Sequence, residues 1–294
     1  MLPPDNVSET VRHFYEELPF NYCSSTADAC RDIKQNPISA YPDLEKLLTS
    51  GNVTSILEIG CGVGWLSNSI SYHYGLPVQA IDLANKAVER AKAVSKKLRT
   101  TPKAQFQVTD LYQFKPTAPV DLMISIGVLP SVADSYQAFK HMIRFLKPGG
   151  HIYLGLYHYF GRKIFRAMFD EILKNNGKAF ALEKYKAMHS RLKDDTLILS
   201  WFRDQVLHPH EAWHTLEEVC GWFTGTGFRL ESTSINRFQK INEPEALFEL
   251  EKTYEQLSYQ ANYIENRYFP GFFTVLGQKQ KNLRIKSLSG NPDN

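Results

Sequence analysis

The spacing of apolar side chains changes character near residue 53. Upstream, residues 1–50 predict irregular structure with short helices. Thr10-Val-Arg-His-Phe-Tyr-Glu-Glu-Leu18 sets its apolar residues at helical intervals and stops at Pro19. A second short helix is expected over Tyr41–Thr49, opened by Pro42 and closed before Gly51. Downstream, short apolar runs alternate with longer helical patterns. Strands are expected over 54–59, 78–82, 105–109, 121–127 and 151–157, and helices over 64–74, 84–98 and 134–146. Gly75 and Lys147-Pro-Gly-Gly150 mark helix ends. Strands separated by helices at this spacing predict right-handed crossovers and a mostly parallel sheet covered on both faces.

After the fifth strand the rhythm breaks. Residues 161–175, 181–192 and 196–206 read as helices with no strand between them, a length that fits a helical insertion rather than a loop. Thr215-Leu-Glu-Glu218 is a capping box opening a helix that ends around Gly225-Thr-Gly227. A sixth strand over 228–234, a helical piece over 244–263 and a last strand over 272–276 follow, and residues past Lys281 are expected to be disordered.

Composition narrows the partners. A chain of 294 residues, 43% hydrophobic and 22% charged, has ample material for a core. A net charge of +3, with no basic block longer than a pair, argues against nucleic acid, whose binding needs a concentrated basic face. The tail Lys279, Lys281, Arg284, Lys286 reads as a solvated end. Cys23, Cys30, Cys61 and Cys220 are scattered, without a CxxC pair, and are expected to be free thiols in a reducing compartment. The N-terminus lacks the basic and apolar regions of a signal peptide, and no apolar run is long enough to span a bilayer. A cytoplasmic protein with no membrane partner is expected.

The chemistry is concentrated in Glu58-Ile-Gly60-Cys-Gly62-Val-Gly64. Glycines after a buried strand let the chain turn sharply and let a ligand approach the backbone, and the next helix offers free N–H groups to an anionic group. A dinucleotide turn would place its third glycine at the sixth position from Gly60, but that position is Trp65, whose bulk would block close helix–strand packing. The third glycine comes one residue earlier, at Gly64.

With Glu58 two residues before Gly60, the segment resembles motif I of the class I S-adenosylmethionine-dependent methyltransferases. The rest of the pattern follows in order. Asp82, followed by Leu83, ends the second strand, where the family places an acid on the two ribose hydroxyls. Asp110 ends the third strand, where the adenine amino group is held, with Leu111 beside the ring. Ser125-Ile-Gly127-Val-Leu129 takes the motif IV position near the methionine part, and Phe145-Leu-Lys-Pro-Gly-Gly150 is the familiar segment before the fifth strand. Each acid has an ordinary alternative as a turn former or helix cap, but their ordered placement at successive strand ends carries the resemblance over residues 50–160.

The resemblance implies an α/β, Rossmann-like, doubly wound, mostly parallel seven-stranded sheet with a helical cap. It implies S-adenosylmethionine as methyl donor and S-adenosylhomocysteine as product. Cofactor contacts are expected from Glu58, Gly60, Cys61, Gly62, Gly64, Asp82, Leu83, Asp110, Leu111, Ser125 and Gly127. The chain then divides into an N-terminal helical lid (1–50), the cofactor-binding core (51–158), a helical cap (159–214), the C-terminal part of the core with a helical insertion near 244–263 (215–281), and the tail (282–294).

The acceptor is read less directly. Many members carry histidine just after motif IV; here Leu129-Pro130-Ser131 stands there instead. Tyr157 and His158, at the carboxyl end of the fifth strand, are the expected catalytic residues, since ligands bind at that edge. Phe14, Tyr15, Phe20, Asn21 and Tyr22 are placed to fold over the cofactor or to pack on the core. Ser200-Trp-Phe-Arg-Asp-Gln-Val-Leu-His-Pro-His-Glu211 resembles a cap stretch in a subset of bacterial methyltransferases. Tyr15, Tyr22, Arg203, Asp204, His208, His210 and Arg237 are the acceptor-binding candidates. His210-Glu-Ala-Trp-His214 matches the zinc-protease pattern H-E-x-x-H, which needs both histidines on one helix face; Pro209 and Thr215 place it in a connection instead, and no metal is expected. The expected activity is in-line methyl transfer to a small-molecule acceptor. A protein or RNA acceptor, a non-catalytic cofactor-binding protein of the same fold, and a zinc hydrolase are the alternatives.

Overall fold

Strands β1 (Ile56–Ile59), β2 (Val78–Asp82), β3 (Ala104–Val108), β4 (Val120–Ile126), β5 (Leu146–Tyr157), β6 (Phe228–Thr233) and β7 (Phe272–Lys279) form one sheet in the order β3-β2-β1-β4-β5-β7-β6. The first five are mutually parallel, and β7 runs antiparallel to both β5 and β6. The computed structural model describes residues 4–36, 38–189 and 192–281, so the expected disordered tail, 282–294, lies outside the described residues.

All four residues of β1 are buried, the signature of a central parallel strand with both faces covered. Helices α3 (Pro42–Thr49) and α4 (Trp65–His73) pack on one face, where Leu44, Leu48 and Ile70 meet Ile56, Val78 and Leu122. Helices α6 (Ser135–Met142) and α9 (Leu216–Thr226) cover the other, where Phe139, Trp222 and Phe223 meet Leu57, Met123 and Leu154. Successive β1 side chains therefore enter different cores, as the period of two requires. Helix α5 (Asn85–Leu98) packs against α2 (Thr26–Gln35) through Val94, Leu98, Cys30 and Ile33.

Three elements depart from the sequence expectation. Helix α2 was not expected, yet Ser25 caps it by accepting from the Asp28 N–H, the first half of a capping box. Strand β5 begins at Leu146 rather than at 151. Leu146 pairs with Val120 across a register shift, and that irregularity takes Pro148 into the strand. Helix α7 (Tyr159–Met188) carries one break, at Gly177, whose φ of 80° is not helical; this divides it near where two separate helices were expected.

Helices α1 (Pro4–Glu17) and α8 (Asp195–Val206) stand above the carboxyl ends of the strands, and α7 leaves the end of β5. Helices α7 and α8 enclose a core of their own around Phe165, Phe169, Tyr185 and Phe202. Helices α10 (Pro244–Lys252) and α11 (Tyr254–Tyr259) lie between β6 and β7 and continue into a π-helical turn, Gln260–Ile264. All four cysteines are free thiols. Among the described residues, no helix is long and apolar enough to cross a membrane.

Candidate functional site

A cavity of about 1040 Å3 opens where the strand order reverses between β1 and β4. Its floor is the turn after β1. Gly60 adopts φ 73° with its Cα against Val128, where a Cβ would overlap the valine side chain at 2.1 Å. Gly64, at φ 75°, is needed for a different reason. It does not line the cavity; a Cβ there would lie 2.6 Å from Ala91 and 2.9 Å from Phe106, so its role is to let α4 pack on α5 and β3.

The acids at the strand ends face this floor. Both Asp82 oxygens accept one backbone bond each, from Gly62 at 2.8 Å and from Ala84 at 2.9 Å. Those bonds fix the carboxylate and leave it further lone pairs. Burial raises its pKa, with the two backbone donors pulling the other way. Glu58 is 5% exposed and takes a bond from the Ser67 hydroxyl, yet burial still pushes it up to about 8. Leu83, Asp110, Leu111, Cys61 and Gly127 complete this end. Ser125 does not reach it: its side chain is fully buried and its hydroxyl has no partner among the described residues.

The opposite end is aromatic and converges on Asp204. Tyr15 from α1 donates to one carboxylate oxygen at 2.6 Å, and Tyr157 from β5 to the other at 3.1 Å. Gln205 donates to Asp204 at 2.7 Å and to the Tyr157 hydroxyl at 2.8 Å. Behind them lies Arg162, fully buried, paired with both Glu211 oxygens and with the Gln205 side chain, its guanidinium stacked 3.9 Å from the Tyr157 ring centre. Burial and the Asp204 charge raise the Tyr157 pKa well above its ordinary value, so at neutral pH it is a phenol that donates and not a base. Trp201, Tyr268 and Phe272 complete the aromatic wall.

Helix α1 roofs the cavity. Glu16 accepts from the Asn85 and Lys86 N–H groups, serving as the carboxylate cap that α5 lacks from its own chain. Arg203 ties the Phe14 carbonyl and the Glu17 carboxylate to α8.

Several residues expected at the site stand elsewhere. His158 does not line the cavity. It follows Tyr157 in an extended backbone, so it points to the other face, where its Nε2 meets Glu251 at 2.8 Å in a fully buried pair. Arg203 sits one step around α8 from Asp204 and holds the roof instead of facing inward. Tyr22 lies outside the cavity under the Arg90 guanidinium, 4.0 Å from its ring centre. His208 packs behind Tyr15 and Phe14, and burial lowers its pKa. His210 bonds the Val132 carbonyl at 3.0 Å. Arg237 takes a left-handed conformation (φ 56°) after β6, away from the cavity wall. The His210–His214 stretch is not helical: His214 bonds Ser135 and Glu218 and bridges to His158. No group of three or more His, Cys, Asp or Glu among the described residues is arranged to hold a metal. Trp201 and Gln205 lay within the cap stretch noted in the sequence but were not singled out there. Tyr268, Phe272 and Arg162 gave no comparable signal.

A mixed seven-stranded sheet of this order, with a cavity over its reversal point floored by glycines and acids, defines a Rossmann-like methyltransferase fold. Residues 31–233 match the methyltransferase domain family, and the chain belongs to it, a family of the class I S-adenosylmethionine-dependent methyltransferases. It is 33% identical over 113 residues to malonyl-[acyl-carrier protein] O-methyltransferase 2 of Ilyobacter polytropus, covering 38% of this chain and 42% of that one. It is 26% identical over 126 residues to nodulation protein S of Rhizobium tropici, covering 41% and 51%. The chain thus matches about half the length, or less, of these relatives. Among solved structures, PKMT2 from Rickettsia typhi aligns with a TM-score of 0.58 at 14% identity, over 90% of this chain and 56% of that one. Magnesium protoporphyrin IX methyltransferase from Synechocystis with bound S-adenosylhomocysteine aligns with 0.52 at 14%, over 93% and 100%. These two likenesses bear on fold.

Proposed function

We propose that this chain moves the methyl group of S-adenosylmethionine to a small-molecule acceptor held between α1 and α8. The carrying observation is the cavity that joins the glycine turn and strand-end acids to the aromatic end around Asp204. Its volume suits a cofactor and a small acceptor together.

The wall fits the cofactor. Asp82 would take the ribose hydroxyls on the lone pairs its two backbone bonds leave free, and Asp110 with Leu111 the adenine. The turn at Gly60, Cys61 and Gly62 would let the cofactor lie against the backbone, with Glu58, Leu83 and Gly127 around it. When bound, the cofactor supplies an electrophilic methyl group on a positive sulfur. The chain's part is to align the acceptor, hold its proton and keep water out. Tyr157 fits the acceptor side of the wall, as a donor that orients Asp204. With His158 turned away, Asp204 is the carboxylate available there to take a proton. The roof over the aromatic end favours a small acceptor over a protein or RNA surface.

Calorimetric titration with S-adenosylmethionine and S-adenosylhomocysteine, with NAD as control, tests the reading. Binding of the first two alone, followed by turnover on a small acceptor, is the expected outcome. Binding without turnover on any acceptor would favour a non-catalytic cofactor-binding protein, and no binding would sink both.

A further inference from the structure

We infer that the methyl acceptor is an amine, seated in the aromatic end against Asp204. The inference rests on the cofactor occupying the glycine-turn end, and it names the chemistry of the group at the other.

The sign of the charges on the cavity wall carries the argument. Its cationic side chains, Arg12, Arg31 and Lys193, belong to the solvent-facing rim: Arg31 is 64% exposed and Arg12 43%. No cationic side chain among the described residues of the wall is buried. The acids of the wall are Glu58, Asp82, Asp110 and Asp204, besides Asp28, Asp32 and Asp194 beside the rim cations. The first three lie at the cofactor end, which leaves Asp204, 8% exposed, to meet the acceptor. A carboxylic or phosphorylated acceptor would meet a like charge there, and the one buried cation behind this end, Arg162, is already paired with both Glu211 oxygens.

The geometry of Asp204 agrees. A carboxylate offers about four acceptor positions, and Tyr15, Tyr157 and Gln205 occupy three. One more donor completes the set, and an ammonium N–H is the donor whose charge also offsets the buried anion. The rings of Tyr15, Tyr157, Trp201, Tyr268 and Phe272 surround the same space. Trp201 and Tyr268 have ring centres 6.2 Å apart and Tyr157 and Phe272 5.6 Å apart, both pairs edge to face, and aromatic rings lining a cavity attract a cation.

The reaction balances. The ammonium gives one proton to Asp204, and the freed nitrogen lone pair forms a bond to the methyl carbon. The carbon–sulfur bond breaks with its electron pair going to sulfur, and the methylated nitrogen leaves as an ammonium. Asp204 then returns its proton to water.

The test uses the full chain saturated with S-adenosylhomocysteine, titrated calorimetrically with 2-phenylethylamine, 2-phenylethanol and phenylacetate. The amine should bind at least about tenfold tighter than the alcohol, and phenylacetate weakest, a margin that one buried ion pair with ring contacts supplies. In Asp204→Asn the advantage over the alcohol should shrink to about twofold or less, with S-adenosylhomocysteine affinity showing that the variant is folded. Should that variant fail to fold, the ranking in the wild-type chain decides alone. An amine no tighter than the alcohol, or an advantage that survives Asp204→Asn, overturns the inference while bound S-adenosylhomocysteine leaves the methyltransferase reading standing. Loss of S-adenosylhomocysteine binding by the wild-type chain overturns both.

Discussion

The Tyr15 hydroxyl reaches across 189 residues of chain to the Asp204 carboxylate, 2.6 Å away, and so closes the roof of the cavity on its own acceptor end. The bond belongs to the lid and to the site at once. Tyr15→Phe should therefore loosen α1 without emptying the cavity of rings. Losing a hydrogen bond to a charged group costs about 1.5–3 kcal/mol. Amide hydrogen exchange in α1 should rise accordingly, while the core strands keep their protection. Unchanged exchange in α1 would show that Glu16 and Arg203 hold the roof without it.

Asp82 is fixed by two backbone donors before any ligand arrives. Asp82→Ala would remove the carboxylate proposed to hold the ribose and slacken the Gly62 turn together. A drop of about ten- to a hundredfold in S-adenosylhomocysteine affinity is expected, the range for a charge-assisted bond. Calorimetry giving wild-type affinity would move the cofactor away from this strand end.

Burial holds Glu58 at about 8, so at pH 7 the ligand-free chain carries it mostly protonated. A cationic ligand stabilises the carboxylate and lowers that pKa, and the proton is released on binding. S-adenosylmethionine should then bind more weakly as pH falls from 8 to 6. The observed binding enthalpy at pH 7 should also differ between phosphate and Tris buffers. In Glu58→Gln both dependences should flatten. Identical enthalpies in the two buffers for the wild-type chain would leave Glu58 uncoupled from the ligand.

His158 pairs with Glu251, which also accepts from the Leu216 and Glu217 N–H groups and so caps α9 from α10. Removing the imidazole leaves a buried carboxylate short of one partner. His158→Ala should lose about 1–3 kcal/mol in urea unfolding, the cost of an unsatisfied buried group, while the pH profile of turnover keeps its shape. A changed profile at wild-type stability would restore His158 to the chemistry.

Most of the glycine-turn end of the cavity was legible in the chain, because its residues come in one order at successive strand ends; Gly64 and Ser125, expected there too, do not line it. The aromatic end was legible only in pieces: Tyr15, Tyr157 and Asp204 were each singled out, but not their meeting. Tyr15, Tyr157, Asp204 and Phe272 come from four distant segments, and no local pattern announces their meeting. Two of the errors were of facing, whereas Arg237 was misplaced by region. His158 was expected beside Tyr157, but neighbouring residues of an extended chain point to opposite sides. Arg203 was expected beside Asp204, but adjacent residues of a helix diverge by about 100°. Helix α2 went unseen because its apolar positions, Ala29, Cys30 and Ile33, are few; Ser25 and Asp28 were the available sign.

The bonds that hold α1 to α5 and α8, through Tyr15, Glu16, Glu17 and Arg203, all involve a side chain, and none is a strand pairing. Such a roof can lift as one piece while the sheet keeps every ladder bond. The stiffness of this roof is therefore adjustable residue by residue, separately from the glycines and acids of the floor.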